Sequence, residues 1–379
     1  MSRRLFVSVD FPPMIGGIQN YLYGLVSNLD PTETYVLTSS KGDKDANEAF
    51  DNKQNFKIYR TNISSGIHFT KQLFKLIPLY YEIKRIVREH KIEEIHFGNA
   101  LPIGLLGFFL GKKIEYYPYL YGLDILHAKN TFYKRVLLQG ILKRASNIIT
   151  ISNYTKNIIT SLGIEEQRIK IISPGFKLPD EQPSEVINIR RKYNINTDTK
   201  VILTVARLHE RKGHDNVIHA LKMMIEDNPN VVYVICGKGP YKETLKNMVK
   251  ELELEEVVLF TGEVSDEELI GWYQTADIFI MASRQIGSIG DVEGYGIVFL
   301  EANYYGVPVI GGNSGGIPDA IINEETGYLV NPNHPEEIAE KIVYLIDNEN
   351  IRKTIGYNGK NWVLDRCTWE ERIKILNSI

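Results

Sequence analysis

Two carboxylates, Glu293 and Glu301, stand with seven residues between them in the run Asp-Val-Glu-Gly-Tyr-Gly-Ile-Val-Phe-Leu-Glu-Ala-Asn-Tyr-Tyr-Gly at 291–306. Glu293 falls in a loop broken by Gly294 and Gly296, and Glu301 falls inside the helix that this loop is expected to open. The amides of Gly294, Tyr295, Gly296, Ile297 and Val298 then lie where backbone N–H groups lack an intrahelical partner, and the helix dipole favours an anion there. Carboxylates are poor ligands for phosphate but good acceptors for hydroxyl groups. Arg207 and Lys212 answer the same need for an anion, five apart across a turn that follows an apolar run. Arginine offers phosphate a planar fork and lysine a point charge. Phosphate together with hydroxyls means a sugar phosphate or a nucleotide. For either segment taken alone, a surface turn with solvated charges is the plainer alternative.

Periodicity gives the elements that must position these groups. Residues 5–9 read as a buried strand, Gly16 and Gly17 follow in a loop, and Ile18, Tyr21, Leu22, Leu25 and Leu29 recur at helical spacing. Further strand-like runs lie at 35–38, 56–59, 94–97, 114–119, 147–152 and 169–172, and in the second half at 201–205, 231–236 and 257–261, the last ending in Glu263 and Val264. Strands alternating with helical patterns predict an α/β protein with parallel sheets covered by helices on both faces. The glycines after the first strand and those at 237–239 do not form a dinucleotide fingerprint, and no Walker sequence occurs. A chain of 379 residues exceeds what one core usually serves. Two Rossmann-like domains are therefore expected, 1–180 and 181–362, joined through a proline-bearing linker at 177–188 and followed by a tail at 363–379.

Composition narrows the classes further. Apolar residues make up 43% and charged residues 24%, as in folded globular proteins. No apolar run reaches the roughly 18 residues of a membrane span, and the N-terminus shows no leader pattern. Cys236 and Cys367 are too far apart to suggest a disulfide framework or a metal site. The net charge of −3 hides an asymmetry, because residues 1–180 carry a surplus of eight positive charges. Helices near 70–91 and 132–144 concentrate lysine and arginine beside apolar positions, which suits contact with an anionic membrane as well as an ordinary solvated face. The expected location is the cytoplasm, at or near the inner membrane face, and no nucleic-acid partner is expected.

The Glu-x7-Glu spacing, the Arg-x4-Lys-Gly pattern at 207–213 and the double glycine Gly16-Gly17 resemble glycosyltransferase family 4, retaining enzymes built from two Rossmann-like domains facing across a cleft (the GT-B architecture). The resemblance spans nearly the whole chain. It implies that Arg207, Lys212 and the 294–298 amides hold a donor diphosphate, that Glu293 binds sugar hydroxyls and Glu301 the ribose, and that Glu263 and Val264 lie against the nucleobase. It also implies that Gly16 and Gly17 approach the diphosphate, and that Trp362 and Trp369 pack the tail back onto the first domain. The family carries histidine where this chain has Tyr121, next to Gly122 and Asp124, so Tyr121 and Asp124 are candidate site residues with His127 as a nearby substitute. A phenol is a poor base at neutral pH.

The long form of the loop at 283–294 is most similar to phosphatidylinositol-mannoside-type α-mannosyltransferases. The expected activity is hexosyl transfer, with mannose from GDP-mannose, to a glycan or lipid-linked hydroxyl in cell-envelope glycan biosynthesis such as lipopolysaccharide. No metal and no cofactor are expected. A UDP-sugar donor, a nucleotide-sugar epimerase or phosphorylase on the same scaffold, and a non-catalytic nucleotide-sugar-binding subunit stay open.

Overall fold

Strands buried on both faces of a parallel sheet read as near-continuous apolar runs, and residues 201–204 and 233–236 are buried accordingly. The computed structural model describes residues 2–63, 69–111, 113–129, 131–179, 188–287 and 291–379, with backbone alone for 69–74, 123, 127 and 129. His127, Lys71 and Phe74 therefore lie outside the described side chains, and so does most of the expected linker.

The chain divides into two units. The first comprises Met1–Gly175 and Trp369–Ile379, the second Phe176–Thr368. In the first, β1 (Arg4–Ser8), β2 (Thr34–Ser39), β3 (Lys57–Thr61), β4 (Glu94–Phe97), β5 (Glu115–Leu120), β6 (Ile148–Thr150) and β7 (Ile169–Ile171) form one sheet ordered β3-β2-β1-β4-β5-β6-β7. In the second, β8 (Lys200–Val205), β9 (Val231–Cys236), β10 (Val258–Gly262), β11 (Ile278–Met281), β12 (Val309–Gly312) and β13 (Gly327–Val330) are ordered β10-β9-β8-β11-β12-β13. Neighbouring strands are parallel throughout, for example β1 with β2 and β4, and β8 with β9 and β11. This is the α/β architecture expected. Both orders reverse at the first strand of the unit, and ligands of open parallel sheets bind outside the carboxyl ends at such reversals. The loops that begin at Val9, Gly98, Ala206 and Ala282 leave the sheets at those points.

The basic helix Phe69–His90 turns Leu76, Leu79, Ile83 and Ile86 into the core and leaves Ile77 and Tyr81 exposed. The tail re-enters the first unit at Trp369 rather than at 363, and the first unit's leading segment ends at Gly175 rather than 180. Trp362 sits on the helix Glu349–Arg366 of the second unit, so of the two tryptophans only Trp369 docks on the first. Phe176 donates its amide to the Cys367 carbonyl (2.6 Å), which ties the two ends of the second unit together.

The Trp369 indole stands 5.9 Å from the Tyr21 ring, and Gly24 and Gly175 leave its space open, since a Cβ at either would lie 2.1 or 2.5 Å from indole atoms. The Tyr21 hydroxyl donates to the Ile172 carbonyl at 2.8 Å. Trp369→Ala empties this seat and is expected to cost about 3–5 kcal/mol. Urea unfolding checks it, and a loss below about 1 kcal/mol would show the tail to be dispensable.

Candidate functional site

In the second unit the chain leaves β8 through Arg207 and makes a single 3-10 turn, Glu210–Lys212, before the helix His214–Met224. Gly213 between them has φ +75°, and a Cβ there would lie 1.9 Å from the Ala282 carbonyl oxygen, so only glycine lets the turn close onto the end of β11. Arg284 fixes the same turn from the other side. Its amide donates to the Arg211 carbonyl (2.8 Å), and its guanidinium forms a fork with the buried Asp215 carboxylate (2.7 and 2.6 Å). The Tyr241 hydroxyl donates to the same carboxylate at 3.2 Å.

That framework aims two cations at one acid. The Lys212 ammonium and the Arg211 guanidinium (2.8 Å) both pair with Glu293 Oε2, and Arg211 Nε also meets Asp291 at 3.2 Å. Burial works against ionisation of Glu293, but Lys212 and Arg211 outweigh it and bring its pKa down to about 2. Burial likewise pulls the Lys212 pKa down while Glu293 pushes it back up. Glu293 Oε1 has no partner among the described residues. The glycine-rich loop after β12 holds the backbone of Glu293: Gly316 donates to its carbonyl at 2.9 Å, and a Cβ on Gly315 would come within 2.4 Å of that oxygen.

Immediately after Glu293, Gly296 adopts φ +92° and opens the helix Ile297–Tyr304, whose N-terminus has no side-chain cap. The amides of Ile297 and Val298 thus begin the helix as donors without intrahelical partners. Glu301, one turn further on, accepts a hydrogen bond from the Tyr273 hydroxyl (2.6 Å), and the Tyr273 ring stacks parallel to Tyr305 at 5.7 Å. Burial raises the Glu301 pKa, and the Tyr273 bond counters it. Arg207 is exposed and pairs with no described acid. The loop beside it, Gly237-Lys238-Gly239, packs backbone to backbone: a Cβ on Gly237 would meet the Ala206 oxygen at 2.0 Å, and one on Gly239 the Leu208 oxygen at 2.2 Å. Lys238 from that loop pairs with Glu263 at 2.5 Å, ahead of the half-buried Val264.

The first unit holds the other predicted residues. Gly16 is extended (φ 170°) and precedes the uncapped helix Gly17–Ser27, and a Cβ on Gly17 would meet nothing within 4 Å. Asp124 Oδ1 accepts the amides of Tyr121 (3.1 Å), Gly122 (2.9 Å) and Ile125 (3.0 Å), so it caps the helix Leu123–Lys129. The Tyr121 ring stands edge-on to Tyr21 at 5.8 Å, and its hydroxyl has no hydrogen-bond partner among the described residues. Burial lifts its pKa well above the ordinary tyrosine value, which leaves it a neutral donor and no base. Beyond the carboxyl ends of β1 and β4 lies a hollow of about 130 Å³, polar at Asp10, Asn99 and Lys75 and apolar at Ile63, Leu76 and Leu79. Asn99 Nδ2 and Gln19 Nε2 donate to the Asp10 carboxylate at 3.1 and 3.2 Å.

The structure thus brings Lys212 and Glu293 into contact, follows them with the 294–298 amides, and seats Glu301 on the same helix. Arg211, Tyr273, Arg284 and Asp215 were missed. Arg211 had a signal, its adjacency to Lys212, whereas the other three act across gaps in the sequence that no local pattern marks. Among the described residues no group of three or more histidine, cysteine or acidic side chains could hold a metal ion.

Comparison with known proteins bears on both units. The model of the family described as Glycosyltransferase Family 4 matches residues 15–178, and that described as Glycosyl transferases group 1 matches residues 185–362. A GDP-mannose-dependent alpha-(1-6)-phosphatidylinositol monomannoside mannosyltransferase of Mycolicibacterium smegmatis is 31% identical, over 97% of this chain and 95% of its own. An alpha-monoglucosyldiacylglycerol synthase of Streptococcus pneumoniae is 23% identical over 81% of this chain and 70% of its own. Among solved structures, Anabaena Alr3699/HepE in complex with UDP superposes with a TM-score of 0.81 at 20% identity, covering 100% of this chain and 99% of the other. Sucrose-phosphate synthase from Thermosynechococcus elongatus gives 0.78 at 20% identity, covering 99% and 98%.

Proposed function

Because the chain belongs to the glycosyltransferases, family 4 in its first half and group 1 in its second, we propose that it moves mannose from GDP-mannose to a hydroxyl of a lipid-linked or glycan acceptor, with retention at the anomeric carbon. One observation carries this reading: Lys212 and Arg211 converge beside Glu293, just ahead of an uncapped helix N-terminus. A diphosphate placed there would meet two cations and the Ile297 and Val298 amides. As the bond between sugar carbon and phosphate oxygen breaks, the charge developing on the departing phosphate would be stabilised by donors already in place. The acceptor oxygen bonds to the same carbon on the same face, and its proton passes to the leaving phosphate. Glu293 Oε1 would take a sugar hydroxyl, and Glu301, held by Tyr273, the ribose.

Relatives named for GDP-mannose and phosphatidylinositol mannosides support the donor and acceptor classes. The half-polar, half-apolar hollow of the first unit supports an amphiphilic acceptor. Exposed Ile77, Tyr81, Phe109, Phe132 and Val136, carried beside the basic helices, support attachment to an anionic membrane face. Among the described residues no helix is long and apolar enough to cross a membrane. Catalysis is proposed to need no metal ion, since arginine, lysine and amides neutralise the phosphate.

Purified protein incubated with labelled GDP-mannose and a membrane lipid extract should release GDP and label a lipid, with less than about a twofold change on adding EDTA. Label arriving only from UDP-sugars would reassign the donor. Tight donor binding without release of nucleoside diphosphate would make the chain a binding subunit, and abolition by EDTA would overturn metal independence.

A further inference from the structure

As the cluster stands, Arg211 and Lys212 supply two positive charges, and Asp291 and Glu293 cancel both. These four side chains therefore offer a diphosphate no net charge among themselves, which leaves the exposed Arg207 outside the ion pairs. Glu293 is the acid that matters, because its Oε2 touches both cations while Asp291 touches only the edge of Arg211 and is half exposed. We infer that Glu293 is a stand-in for the donor's phosphate: it occupies Lys212 and Arg211 while the site is empty and must release them when a nucleotide sugar binds. This rests on the donor reading given above and concerns how the same site is loaded and cleared.

The backbone permits the exchange. The Glu293 carbonyl is fixed by Gly316 and the close approach of Gly315, but among the described residues its carboxylate is held only by the two cations, through Oε2. With sugar present, the carboxylate gains hydroxyl donors that replace the cations it gives up. After transfer the sugar is gone and those donors leave with it. Glu293 then returns to Lys212 and Arg211 and competes with the bound nucleoside diphosphate, which favours product release. The carboxylate thus penalises the product more than the substrate.

Isothermal titration of GDP into wild type and Glu293→Gln tests this, with GDP-mannose as a second titrant and a thermal melt to confirm folding. Glutamine keeps the shape and removes the competing charge. Glu293→Gln is expected to bind GDP at least about tenfold more tightly, or about 1.4 kcal/mol, and to gain less for GDP-mannose, so that the preference shifts toward product. On a Lys212→Met background the same change should gain much less, because half of the contested charge is already absent. If Glu293→Gln binds GDP no better than a wild type that does bind it, the inference falls while the donor reading stands. If wild type binds neither GDP nor GDP-mannose, the donor reading falls and takes this inference with it.

Discussion

Lys212→Met is expected to lower kcat/KM by about a hundred- to a thousandfold, the cost of about 3–4 kcal/mol seen when one preorganised donor to a developing oxyanion is removed. The Lys212 side chain is only 12% exposed, so its charge acts with little water between it and a ligand. Methionine keeps the stem and removes the ammonium. Most of the loss should fall on kcat, because the leaving phosphate carries more charge in the transition state than in the ground state. Steady-state kinetics alongside a melting curve check this. A folded variant within fivefold of wild type would remove Lys212 from the chemistry.

Arg284→Ala is expected to destabilise the protein by about 3–5 kcal/mol, since it strands the Asp215 carboxylate without its partner in a setting where both side chains are 10% exposed. Burial opposes ionisation of Asp215, but Arg284 outweighs it and holds the carboxyl below its ordinary range. A depressed pKa contributes stability that is present above the unfolded value and lost as pH falls through the folded one. Without Arg284 only the Asn216 amide and the Tyr241 hydroxyl remain to offset burial, the Asp215 pKa rises, and the folded variant takes up its proton more readily than wild type does. The gap between wild type and variant should therefore narrow as pH falls from 7 toward 4. Urea unfolding at several pH values measures it, and a constant gap would show that Asp215 is not the group left stranded. Asp215→Ala together with Arg284→Ala should cost less than the sum of the two single changes.

What the sequence made legible follows from which interactions are local. Strands such as Lys200–Val205 and Val231–Cys236 could be located within a residue or two because burial on both faces leaves little but apolar side chains in them. The loop and helix around Glu293 were legible because glycine marks the positions that need φ above zero, and Gly296 is such a position. Contacts between distant segments were not. Nothing near Asp215 announces Arg284, nor anything near Tyr273 its bond to Glu301, since each partner is an ordinary residue in its own neighbourhood. Glu293 was read as a free acceptor for sugar hydroxyls because its charge partners lie 81 and 82 residues away. Trp362 and Trp369 look alike in sequence, and only the packing against Gly24 and Gly175 separates them.

The crossing of the chain between its two units, once after Gly175 and again before Trp369, sets a rule for recombination. A chimera that borrows the second unit of a relative needs two junctions, at 175/176 and 368/369. A single crossover would import a foreign tail as well, and a bulkier or smaller side chain in place of the indole would then face a socket cut to this one by Gly24 and Gly175. Exchange of sugar-nucleotide preference between relatives is therefore easier as an internal cassette than as a swap of halves.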